Sequence, residues 1–187
     1  MFLRPEGGKA VTPEAIRRTA EIIWWAMLAS LAVAVGLAYL LYSRTLSGAG
    51  HAPIVPHYPA RLAWPFWLAA ASNIYFAYKL DTRQQKRIET RLSEELEDSN
   101  PLPERDLRIS MYTGVVATVI GLAALGETIG FYGLILAILG VPPRSWLPFF
   151  FLAFLHLLFY KSRRDSYFQS ADERVREILA GYTHRQS

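Results

Sequence analysis

Cysteine is missing from this chain. That excludes disulfides, thiolate nucleophiles and thiolate metal sites, and it leaves the redox compartment open. Glycine and proline are missing from residues 66–99, so nothing breaks a helix there. Carboxylates are missing from residues 43–61, and Glu127 is the one acid outside the segments read below as cytosolic. There is no phosphate-binding glycine loop, no His-Glu-x-x-His and no pair of intramembrane carboxylates. Internal repeats, low-complexity tracts and linkers long enough to separate domains are absent as well. Each absence removes a class of chemistry, and no catalytic residue, cofactor site or complete metal site is assigned.

What the chain does have is segregation. Its 187 residues are 52% hydrophobic and 19% charged, with the charges in blocks and the apolar residues in runs. One membrane domain over 1–187 is the reading, all-α and polytopic, with four transmembrane helices and cytosolic helical extensions. The first span is Ile22 to Tyr42, a run without an ionisable group apart from its tyrosines. At ~1.5 Å per residue it extends roughly 30 Å, the thickness of a bilayer core. It is too long for the apolar part of a signal peptide. Thr12-Pro13-Glu14 reads as an N-cap, a first-turn proline and a favourable acid, so the helix begins before the membrane.

The second span is 62–80, with Trp64 and Trp67 at one end and Tyr75, Tyr78 and a snorkelling Lys79 at the other. The third is placed at 109–127, ended by Gly126-Glu127-Thr128. Residues 129–141 then form an outer interfacial or re-entrant piece. The fourth span is 145–163. The alternative is one long, tilted third helix ending near Gly140.

Seventeen of the 20 Lys and Arg fall in residues 1–21, 79–108 and 161–187. The positive-inside rule then puts the N-terminus, the middle segment and the C-terminus in the cytoplasm. The expected location is an integral membrane one, the inner membrane in a bacterial cell. The basic segments face anionic lipids and not nucleic acid.

Cytosolic helices are expected over about 81–98 and 171–180. The first carries the stripe Ile88, Leu92 and Leu96. The second opens on Ser170-Ala171-Asp172-Glu173, which fits a capping box, and carries Phe168, Ala171, Val175, Ile178, Leu179 and Tyr182 on one face, with Gly181 as its stop. The two stripes are expected to cover each other within one protomer.

Five polar residues stand out. His51 and His57 are weak metal candidates: zinc catalysis wants three protein ligands, and Pro53, Pro56 and Pro59 hold the two rings apart. Asn73 falls near mid-span and is expected to hydrogen-bond a neighbouring helix. Glu127 is placed near the outer interface, where it caps the next piece or pairs with Arg144. His156 is placed near the inner end of its span. Gly126 and Gly130 make a G-x-x-x-G match, a common pattern. The functional expectation is a non-catalytic accessory or assembly subunit of a larger membrane complex. The alternatives are a small oligomeric pore or transporter, and an interfacial membrane enzyme acting through His51, His57 or Glu127. The partners expected are the bilayer and either copies of this chain or a hetero-complex.

Overall fold

A computed structural model describes residues 12–46, 60–97 and 103–186. All regular structure among them is helical: α1 (Pro13–Leu46), α2 (Ala63–Glu97), α3 (Glu104–Ile138) and α4 (Pro143–Gln186), with a short 3-10 turn at Ala60–Leu62. Three of these, α1, α3 and α4, are long and apolar enough to cross a membrane.

Local chemistry sets the ends. Thr12 Oγ1 accepts the Ala15 amide at 3.2 Å, and Pro13, which needs no amide partner, opens α1. The carbonyl of Pro103 takes the amides of Asp106 and Leu107, and Glu104 and Asp106 add negative charge where the α3 dipole is positive. At the other end of α3, Gly140 has φ 69°, the left-handed conformation that glycine adopts without penalty. Its amide bonds Ala137 O and that of Val141 bonds Leu136 O. This double bond pattern satisfies the last carbonyls, and Pro142-Pro143 starts α4 at once.

The chain runs up and down. Ser30 meets Glu127 and Arg17 meets Phe168, so α1 is parallel to α3 and antiparallel to α4. Trp67 stacks on Phe149 and Asp81 reaches Tyr167, so α2 is parallel to α4. α3 packs along all three other helices, whereas α1 and α2 share no packed face.

The α4 contact surface explains its length. Trp146, Phe150, Ala153, Leu157, Tyr160, Arg164, Tyr167 and Ala171 are all buried, and they follow one another at alternating steps of four and three. That spacing is a heptad seam, and Val175 and Ile178 carry it on. On α2 the seam is made of small residues at sevenfold spacing, Ala63, Ala70 and Ala77, and Gln84 continues it. Small side chains let helix backbones come close.

Two expected breaks do not occur. No separate piece exists over 129–141, because α3 runs unbroken through Gly126-Glu127-Thr128 to Ile138. Thr128 returns its hydroxyl to Ala124 O, Glu127 is met from the side by Ser30, and Ile129, Gly133, Leu136 and Ala137 are buried beyond them. Nor does α4 end and restart for a helix at 171–180: it passes Ser170 and Gly181 without a break. Ala171, Val175 and Ile178 already lie in the seam, and a turn at Ser170 would pull them out of it. The tail face is met by α3 and α1, through Tyr112 against Phe168 and Arg17 over the same ring. The side chains of Ile88, Leu92, Leu96 and Tyr182 lie outside the described residues, so the expected pairing of the two stripes does too.

Candidate functional site

Polar side chains enter this apolar bundle at two levels. The first lies at the charged end, where α2 and α4 leave their apolar runs. Asp81 is buried, yet it accepts a hydrogen bond from the Tyr167 hydroxyl and has Arg163 Nη2 at 3.5 Å. One turn on, Gln84 is also buried, and its Oε1 accepts from Thr118 Oγ1 at 2.7 Å. Farther along, Asp172 takes the Tyr112 hydroxyl at 2.8 Å and has Arg108 at 3.8 Å. Arg164 sits in the α4 seam with Nε and Nη2 on Asp165. The same end carries Lys161 over the Trp25 ring at 4.8 Å. A buried carboxylate such as Asp81 is costly unless hydrogen-bonded and paired, and both it and the half-buried Asp172 have a phenol and a guanidinium.

The second level lies within the apolar runs. Ser30 and Glu127 are hydrogen-bonded across α1 and α3. Ser30 is eight residues beyond Ile22, roughly 12 Å, and twelve before Tyr42, roughly 18 Å. The contact therefore sets Glu127 within the apolar run, about a turn and a half along α1 from the Lys161–Trp25 pair, and the expected place near its outer edge is corrected. The error came from ending the third span at Glu127, when eleven more helical residues follow it. Arg144 is no partner for it: at Glu127's level α4 presents His156 and Leu157, about three turns from Arg144.

His156 is buried on α4, and a ring nitrogen lies 3.0 Å from the Leu122 carbonyl of α3. Its approach depends on Gly126, where a Cβ would fall 2.8 Å from His156 Cδ2. Gly126 and Gly130 are thus buried inside the protomer, and the G-x-x-x-G match does not offer a seam to a second copy. Glu127 and His156 meet neighbouring levels of α3 on different faces, Glu127 turned toward α1 and His156 packed on the face toward α4. Asn73 extends Nδ2 to within 3.5 Å of the Tyr132 hydroxyl, more than a turn from Glu127. His51 and His57 lie outside the described residues. Among the described residues no three His, Asp or Glu come together as a metal site would need.

Sequence reasoning missed Ser30 as a partner for an acid, and it missed Asp81, Gln84, Tyr167 and Asp172 altogether. A signal for Gln84 was present, since it is the next position in the series Ala63, Ala70, Ala77. The other pairs join positions 60 to 97 residues apart, which no local pattern links. In comparisons with known proteins the chain matches no family model, no curated protein and no solved structure.

Proposed function

We propose that the protein is a four-span, non-catalytic membrane subunit that assembles with other membrane chains. The observation that carries this reading is how the polar side chains are used. Among the described residues Asp81, Gln84, Asn73 and His156 each turn to a neighbouring helix, which is what a scaffold needs. The fourth span in this reading is α2. It is less apolar than the others, but it lies antiparallel along α3, with Trp64 and Trp67 at one end and Lys79 at the other. The seventeen-to-three distribution of basic residues supports cytoplasmic termini. An open apolar groove of about 740 Å³ between α1 and α4, lined by Leu28, Val35, Leu147, Phe151 and Phe154 with Arg144 at its end, suits acyl chains. The basic end suits anionic headgroups.

Extraction into native nanodiscs followed by mass determination tests the assembly. A stable hetero-complex supports it, and a chain recovered alone or only with copies of itself overturns it. One observation favours a second reading, a small proton-coupled transporter built from copies of this chain. Glu127 is an ionisable group within an apolar run, and such groups mark ion and proton paths. A homo-oligomer that moves protons across liposomes would establish that reading instead.

A further inference from the structure

Ser30 Oγ makes two contacts. One is with the Met27 carbonyl at 3.0 Å, and the other is with Glu127 Oε1. A serine hydroxyl has a single proton and two lone pairs. It cannot donate to both oxygens at once. If Ser30 donates to Met27, the Glu127 contact requires a proton on the carboxyl group, which then donates to Ser30 Oγ. If Glu127 is ionised, Ser30 turns its one proton to the carboxylate and releases the Met27 carbonyl. That carbonyl stays within the α1 ladder, so neither arrangement strands a backbone group.

The surroundings fit a proton and little else. Glu127 borders a notch of about 50 Å³ whose other walls are Ser30, Leu31, Ala34, Gly130 and Phe131. A metal cation needs several more oxygens than the two side chains present. Charged groups nearby are few. On α1 no titratable side chain lies between Glu21 and Tyr39, and on α3 none but Glu127 lies between Tyr112 and Tyr132. On α4 His156 alone lies between Arg144 and Tyr160, and it faces Leu122 and Gly126. The nearest cation along α1 is Lys161, held over Trp25 about a turn and a half from Ser30. α2 does not line the notch.

We propose that Glu127 is a proton-binding site at the open α1–α3 contact, facing the apolar phase, with Ser30 as a two-way hydroxyl that serves both the acid and the carboxylate. The proposal rests on α1 and α3 lying in a bilayer. It deepens the transporter reading and is compatible with a subunit that lends such a site to a larger assembly.

Dicyclohexylcarbodiimide tests it on the full-length protein in liposomes. The reagent adds to a carboxylic acid: the acid proton passes to one nitrogen, the carboxyl oxygen bonds to the central carbon, and the adduct rearranges to a stable N-acylurea with nothing lost. Peptide mapping should show one adduct on Glu127. Glu127→Gln should abolish it. Ser30→Ala removes a donor that matters more to the carboxylate than to the acid, so labelling of Glu127 at one fixed pH should increase several-fold, with Ser30→Thr restoring it. If folded protein is not labelled at Glu127, or Ser30→Ala leaves the extent of labelling unmoved, the site is not as proposed. If a water-soluble carbodiimide labels Glu127 as well as the lipid-soluble one does, the membrane placement has failed, and the site with it.

Discussion

Tyr167 on α4 donates its phenolic proton to one oxygen of Asp81 on α2, while Arg163, one turn earlier, approaches the other. The two helices are thereby tied at the charged end by a buried acid that neither can satisfy within its own turn. Tyr167→Phe leaves that carboxylate short of a donor. The expected cost is about 1–3 kcal/mol in reversible unfolding in detergent. Combining it with Asp81→Asn should cost less than the two changes summed, as residues in contact do. Strict additivity would falsify the tie.

The α3–α4 contact makes a sharp distinction between two glycines. Gly126→Ala places a methyl group 2.8 Å from His156 and 3.3 Å from Leu157, so something must move. Overpacking of this kind costs about 1–3 kcal/mol. Gly114 has open space around the same position, and Gly114→Ala should be neutral or stabilise by up to ~1 kcal/mol through helix propensity. Thermal aggregation of the purified variants ranks them. Equal effects at the two positions would sink the close-approach argument.

Ser170 and Asp172 separate a capped helix start from an unbroken helix. A capping serine costs about 0.5–2 kcal/mol when replaced by alanine. In a continuous α4 it costs almost nothing, whereas Asp172→Ala strips both Tyr112 and Arg108 of a shared acceptor. Hydrogen exchange should show the amides of 171–178 unchanged by Ser170→Ala and less protected after Asp172→Ala. The reverse order would restore a helix break at Ser170.

Orientation can be read with single cysteines, since the chain has none of its own. With an impermeant thiol reagent on intact cells, cysteine at Ser47 should be labelled, and cysteine at Ser99 or Ser187 only after lysis. Labelling at Ser99 in intact cells would mean that α2 does not cross.

Helix identity was legible because it is written locally. Thr12-Pro13 caps α1, the stretch without glycine or proline carries α2 to Glu97, and the end of α3 by Gly140 matches the alternative of one long third helix and not the end placed at Glu127. The buried face of the tail could be read from its spacing too, through Phe168, Ala171, Val175 and Ile178. Where one helix stops and another begins was misread twice, at Glu127 and at Ser170, for one reason. Both stretches carry residues that favour a helix end, but Glu127 is met by Ser30 and Asp172 by Tyr112 on another helix, which makes the end unnecessary. Asn73 could be recognised as an inter-helix donor, but not that Tyr132 faces it. The Ser30–Glu127 pair was out of reach, because the depth of Glu127 depends on α3 continuing and on its alignment with α1.

The absence of a shared face between α1 and α2 has a bearing on biogenesis. Both helices leave the ribosome before either of the surfaces they will rest on has been translated. Asp81 awaits Tyr167, 86 positions downstream, and Gln84 awaits Thr118, 34 positions downstream. The nascent chain must therefore hold its least apolar helix, with two unanswered polar groups, until the α3–α4 hairpin arrives. Order of synthesis and order of docking run opposite ways. A product terminated after α2 has no way to hide Asp81 and Gln84, and that is the signature by which quality control could tell an unfinished chain from a finished one.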